Sequence, residues 1–226
     1  LKLNPDNLQY RFFRYVPLVV YLNEQFMNNN PTSLSNFNAT INKCATGHFA
    51  VSDYEKQQIR ELLQRKIERW KRLPKLEELL HAQNAKTKRL SKGEIQDRDK
   101  KWRTAFQAND FAYPIKLIDQ ELSAQLREIK KQSLDSITEI IITDARGLNL
   151  AISDMTSDYW QGDEEKFTEA YDKPATTLYF GDINYDESTK RFQIHISVPL
   201  YTEEKFEPLG VMVFGVDVEK ILSQAQ

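Results

Sequence analysis

Ser136-Ile137-Thr138-Glu139-Ile140-Ile141-Ile142-Thr143-Asp144-Ala145-Arg146-Gly147-Leu148-Asn149-Leu150-Ala151-Ile152-Ser153 is where the chain changes its period. Upstream, apolar residues recur at helical spacing. Here a β-branched run, Ile137–Thr143, reads as a strand. Asp144-Ala145-Arg146-Gly147 reads as a turn, with Gly147 supplying a permissive backbone, and Leu148–Ser153 reads as a second strand.

Downstream of this hairpin the alternation continues. A short helix is expected over 163–171, with Asp163, Glu164 and Glu165 at its N-terminus, where the helix dipole favours acids. Thr177–Ile183 reads as a third strand, Asp186-Glu187-Ser188-Thr189 as a turn, and Arg191–Leu200 as a fourth strand. In that strand Phe192, Ile194, Ile196 and Val198 alternate with Arg191, Gln193, His195 and Ser197. Leu209–Val218 is the fifth strand.

Upstream, residues 52–132 read as helical. Ser52 with Glu55 and Ser91 with Glu94 are capping-box pairs. Ile59, Leu63, Ile67 and Trp70 fall on one helix face. Pro74 breaks that helix, and Leu76, Leu79 and Leu80 resume the stripe. The charged helix after Ser91 carries Trp102 and Phe106. Pro114 suits the first turn of a third helix bearing Ile115, Leu117, Ile118, Leu122 and Leu126. The order predicts an α+β fold, N-terminal helices packed on one five-stranded antiparallel sheet. The parts are a 1–50 appendage of unassigned role, a helical region over 51–134 and a sheet domain over 135–226.

The chain has 226 residues, 40% hydrophobic and 11% aromatic, enough for one large domain or two small ones. Lys plus Arg is 31 and Asp plus Glu 33, a net charge of −2, so no global field favours nucleic acid. The single cysteine, Cys44, has no intrachain partner and no patterned relation to His48, His81 or His195. No zinc spacing, phosphate-binding glycine loop or nucleophile elbow occurs, so no catalytic residue, metal or cofactor is expected. Asp182–Ser188 places oxygens at alternate positions, as a calcium loop does, but Glu187 occupies the glycine position and Gln193 the closing glutamate, which favours a polar hairpin. The chain starts at Leu1, not methionine, which reads as a mature chain with its leader removed. Its longest apolar run, Tyr15–Leu22, is too short to span a bilayer. Residues 1–50 are rich in asparagine and include the sequon Asn38-Ala39-Thr40.

Thr156-Ser157-Asp158-Tyr159-Trp160-Gln161-Gly162-Asp163-Glu164 crowds aromatics, acids and a glycine between a strand and a helix. With Thr143–Asn149 and Gly210-Val211-Met212-Val213-Phe214-Gly215-Val216-Asp217, it resembles a single Cache domain, also called a PDC sensor domain, an extracytoplasmic relative of the PAS fold. Ala82-Gln83-Asn84 and Lys101-Trp102-Arg103 fit the helical part of that family, and the resemblance covers about 55–220. It implies a long helix on a curved antiparallel sheet, and a pocket between the sheet and the connection of strands two and three. The ligand implied is an amino acid, carboxylate, amine or similar metabolite. It further implies a periplasmic or extracellular setting, a signalling partner or a membrane module outside these residues, and room for a homodimer.

The candidate ligand-binding residues are Tyr159, Trp160, Asp158, Tyr179, His195, Ser197 and Asp217. Tyr159 and Trp160 form either an aromatic wall with polar tips or a plug at the sheet edge. Asp158 either meets a cation or caps a turn; Asp163 is better read as a helix-end acid. His195, Ser197 and Tyr179 either face solvent or line a pocket, depending on which way the sheet is covered. Asp217 either reaches a ligand amine or is a strand-end acid. The competing reading of the whole chain is an interaction module that keeps the fold without a pocket.

Overall fold

The computed structural model describes residues 51–186 and 191–224. The 1–50 appendage, with Cys44, His48 and the Asn38 sequon, lies outside the described residues, as does the 187–189 part of the expected turn.

Helix α1 (Asp53–Trp70) starts on the expected box: Ser52 Oγ accepts from the Glu55 amide and Glu55 reaches back to the Ser52 amide at 2.8 Å. Helix α2 (Leu76–Thr87) follows a loop that holds Pro74 and a left-handed Lys75. Helix α3 (Lys92–Gln107) opens on the Ser91–Glu94 box. The single helix expected from Pro114 to Leu126 is instead two, α4 (Ala112–Leu117) and α5 (Gln120–Gln132). Asp119 causes the break. Its side chain caps α5 by accepting from the Leu122 amide at 2.8 Å, and its own amide donates to Leu150 O at 2.7 Å, which ties the cap to the sheet.

Strands β1 (Ile137–Asp144) and β2 (Asn149–Ile152) form the predicted hairpin. Helix α6 (Glu165–Thr168) is shorter than the 163–171 expected, so Asp163 lies outside it. The predicted third strand is two fragments, β3 (Tyr179–Phe180) and β4 (Asn184–Asp186). Phe180 and Ile183 both pack on the same core although they are an odd number of residues apart. The link at Gly181-Asp182 therefore carries an extra residue, as a bulge does. Strands β5 (Arg191–Tyr201) and β6 (Pro208–Asp217) are long and antiparallel, and helix α7 (Val218–Ser223) follows β6 directly. The sheet runs β2-β1-β6-β5-β3, with β4 also pairing on β5. This is the α+β layout expected, with five strand positions across.

Both faces of the sheet are covered. On one, Ile140, Ile142, Ile194, Ile196, Val198, Met212, Phe214 and Val216 pack with Ile59, Leu63 and Ile67 of α1, Leu80 of α2, Leu122 and Leu126 of α5, and Ile221 of α7. On the other, Ile141, Val211 and Val213 pack with Ile95 and Trp102 of α3 and with Tyr159, Phe167 and Ala170 of the β2–β3 connection. Double coverage explains why β1 and β6 read as nearly unbroken apolar runs. It places the connection as the sheet's second lid. Ile59 is fully buried under the first layer. Ile59→Ala is expected to cost about 2–5 kcal/mol in urea unfolding, and a loss below this range would place α1 outside the cooperative core.

Candidate functional site

The nine residues 156–164 are fastened from three sides. Backbone pairing comes first: Asn149 N donates to Tyr159 O at 3.0 Å, Gln161 N to Gly147 O at 2.7 Å, and Leu148 bridges Trp160. Gly147 has φ +76, and a Cβ there would stand 2.4 Å from the Gly162 Cα. A Cβ on Gly162 would meet Trp160 Nε1 at 2.3 Å and Arg146 O at 2.6 Å. The turn and the connection thus cross at two glycines, where no side chain fits.

Helix α3 is the second anchor. Asp99 Oδ1 accepts from the Tyr159 amide at 2.8 Å and the Trp160 amide at 3.1 Å. Arg103 donates to Asp99 Oδ2 at 2.7 Å and to Asp158 Oδ2 at 3.2 Å. These carboxylates raise the Arg103 guanidinium's affinity for its proton. Trp102 Nε1 donates to Thr156 O at 2.8 Å, and its ring stacks on Tyr159 with centroids 5.3 Å apart. Helix α2 is the third anchor. Asp144, fully buried, accepts from Thr87 Oγ1, Gln83 Nε2 and the amides of Arg146 and Leu148. Burial raises the Asp144 carboxyl above its ordinary range, and these donors oppose the rise. Asn84 clamps the same turn, donating to Leu209 O and accepting from the Ala145 amide.

This geometry places each expected residue. Tyr159 is buried and fills space against Trp102; burial drives its phenol well above the ordinary range. Trp160 is partly buried, and its Nε1 donates to Arg146 O at 2.8 Å. Asp158 is occupied by Arg103 and by Gln161 Nε2 at 2.8 Å. Asp217 caps α7, accepting from the Lys220 amide at 3.0 Å.

Tyr179, His195 and Ser197 share the second face. Their strand neighbours Phe180, Ile194, Ile196 and Val198 point to the first core. Ser197 pairs with Tyr179 on one side and Val213 on the other. The apolar set does meet the helices, yet of these residues Ser197 departs from the solvent-facing expectation: it is 0% exposed beneath the connection, while Tyr179 and His195 stay half-buried. Tyr179 Oη donates to Glu165 Oε2 at 3.2 Å. His195 Nε2 lies 2.9 Å from Glu139 Oε1; both residues are registered on Gly215, whose missing side chain leaves room between them. Among the described residues, the buried polar atoms Ser197 Oγ, Asn149 Oδ1 and Gln161 Oε1 have no hydrogen-bond partner.

The sequence reading missed Asp99, Arg103, Asn149, Gln161 and the Gln83–Thr87 clamp. Asp99 and Arg103 stand four residues apart beside Trp102, a spacing that marks an ion pair on a helix but not its distant target. A groove of about 840 Å³ lies on the helix side of the sheet, lined by residues such as Lys71, Arg72, Leu76, Tyr201 and Phe206, and by none of the seven candidates. Among the described residues no His, Cys, Asp and Glu group is placed to hold a metal ion, and no helix is long and apolar enough to cross a membrane.

No family model matches the chain, and no curated protein does. Solved structures give likenesses of fold. One is the sensor domain of the histidine kinase DctB of V. cholerae, at 16% identity and TM-score 0.40, over 94% of this chain and 61% of that one. Another is the sensor domain of E. coli DcuS, at 17% identity and TM-score 0.33, over 46% of this chain and 71% of that one. A third is the ligand-binding domain of the Campylobacter jejuni chemoreceptor Tlp3 in complex with 4-methylisoleucine, at 12% identity and TM-score 0.36, over 76% of this chain and 63% of that one. The chain thus spans less than two thirds of the DctB and Tlp3 domains it matches.

Two expectations follow from the anchors. Asp99→Ala removes the acceptor of two backbone amides and a partner of Arg103, and should cost about 2–3 kcal/mol in urea unfolding. For Tyr179, burial first and then Glu165, Asp182 and Glu169 push the phenol up to about 12. An unfolded phenol ionises near about 10. The raised folded value means this stabilisation is complete below about pH 10 and is lost as pH climbs toward about 12. The Tm difference between the parent and Tyr179→Phe should be flat below that window and change within it; a difference flat to the alkaline limit would show the shift absent.

Proposed function

We propose that the chain is a non-catalytic, extracytoplasmic sensory domain of Cache type. It takes a small organic ligand on the second face of the sheet, beneath the β2–β3 connection. The observation that carries the reading is the polar row Tyr179–Ser197–His195 beneath the connection, in which Ser197 Oγ is buried and has no hydrogen-bond partner among the described residues. A buried hydroxyl left unpaired is costly, and a ligand that meets it recovers that cost. In this reading Tyr159 and Trp160 frame the site rather than contact the ligand, because the Tyr159 ring stacks on Trp102 and the Trp160 Nε1 donates to Arg146 O. Asp158 holds the frame to Arg103.

Ligand would bias the connection between two arrangements through its differential affinity for them. The connection is tied to the helix layer, since Lys71 Nζ of the α1 end donates to Ala175 O at 3.2 Å. Strand β6, which floors the face, runs straight into α7. Either route leads to a signalling partner or membrane module beyond the described residues.

The competing reading is an interaction module with this fold and no pocket. The stacking of Tyr159 on Trp102 favours it, since that ring fills space that a ligand would otherwise use. A thermal-shift screen of amino acids, carboxylates and amines separates the two. At ligand concentrations near a hundred times Kd, a sensor gains about 2.7 kcal/mol of stability and a visible rise in Tm. A panel that moves Tm for no compound class would favour the interaction module.

A further inference from the structure

The face beneath the connection is acidic on its β3 side. Helix α6 packs over β5 and β6, and brings Glu165 and its C-cap Glu169 above the row that holds Ser197. Glu165 receives the Tyr179 hydroxyl. Asp182 stands on the β3–β4 link, and Glu139 of β1 meets His195 on the sheet. Among the described residues, neither Glu165 nor Glu169 has an ion-pair partner. Lys166, the cation of α6, is turned to Glu164 at 3.1 Å. Glu165 is the carboxylate in hydrogen-bond contact with Tyr179, and beyond the effect of burial the negative charge of Glu165, Asp182 and Glu169 adds to the rise of that phenol.

An acidic surface alone is usually a solvated one. Ser197 makes this one different. It is 0% exposed, its Oγ has no partner among the described residues, and it is the direct cross-strand neighbour of Tyr179 beneath the acids. An unpartnered oxygen next to carboxylates calls for a donor that carries positive charge. A carboxylate ligand would meet like charge here and would find no free cation in the row, since His195 is held by Glu139. The aromatic surface agrees: Tyr179 is in the row and Tyr171 stacks on Phe167 at 5.0 Å beside it, and ring faces attract ammonium groups.

We infer that the ligand of this face is an organic amine, its ammonium held by Glu165 and Glu169 over the Tyr179 ring, with Ser197 Oγ accepting one of its hydrogens. The inference rests on the reading of this face as the ligand site and adds the chemical class.

Calorimetric titration of the full chain with putrescine and, separately, with succinate tests it. Putrescine should bind and succinate should not. Glu165→Gln with Glu169→Gln should weaken putrescine by about tenfold or more, the loss expected when charge-assisted hydrogen bonds become neutral ones. Raised salt should weaken it as well. Both glutamates are exposed, so the double variant should keep the parent's Tm, which separates a lost contact from a lost fold. Ser197→Ala should keep or raise Tm while lowering putrescine affinity. Succinate binding without putrescine binding would overturn the amine assignment and leave the sensory reading standing. Putrescine binding that is indifferent to the glutamine pair would overturn the placement of the site. Binding of neither probe, together with a silent thermal-shift panel, would overturn both readings.

Discussion

Two glycine backbones in contact set the rest of this molecule in place. Gly147 and Gly162 touch where the β1–β2 turn meets the returning connection, and neither position has room for a Cβ. That crossing decides how close the connection lies to the sheet. It lets Trp160 reach Arg146 O and brings the Tyr159 and Trp160 amides within range of Asp99. Held back even slightly, the connection would lose its anchors on α3, and the second face of the sheet would open to water. Asp144, buried under the same turn, works from below: it accepts from the turn's amides and from α2 at once, so turn and helix cannot move independently.

The outcome is a sheet with two unlike faces. The helix face is packed mostly by aliphatic side chains, with Trp70 and Phe214 in ring contact. The connection face mixes an apolar half, around Trp102, Tyr159 and Val213, with a polar half, around Tyr179, Ser197 and His195. The apolar half carries the anchors: the Trp102–Tyr159 stack and the Asp99 bonds to the Tyr159 and Trp160 amides. The polar half sits beneath the shortest helix and against the most broken strands, where few backbone hydrogen bonds resist a change of position. The division between the anchored half and the loosely held half runs across this one face.

Most of the fold was legible in the sequence because its signals are local. The Ser52 and Ser91 boxes, the period change after 135 and the alternation of Arg191–Leu200 each depend on a few adjacent residues. The misreadings came where distant contacts override local preference. Asp119 looked like one more polar residue in a helix and is a cap, because Leu150 stands ready to receive its amide. The third strand looked continuous and is broken at Gly181-Asp182. The site was less legible. Tyr159, Trp160 and Asp158 drew attention by composition, yet their chemistry is spent on Trp102, Arg146 and Arg103, partners that no spacing rule connects to them. Ser197 was a candidate by its place in the strand alternation, but its burial depends on the distant connection, which that alternation does not reveal.

The pairing of β1 with β6 also bears on how the chain reaches this structure. These central strands pair from Ile137↔Val216 to Asp144↔Gly210, with one register shift between Ile137 and Glu139, yet the whole connection, β3, β4 and β5 intervene between them. A loop of that length must close before the sheet's middle exists, and its entropy is spent before the pairing returns anything. The β1–β2 hairpin with α5, by contrast, is close in sequence and shares the Asp119–Leu150 tie. Assembly should therefore begin from that local unit, with Ile140, Ile141 and Ile142 exposed as an unpaired edge until β6 arrives. Rapid arrival of the C-terminal hairpin is what keeps this apolar edge from pairing with another chain.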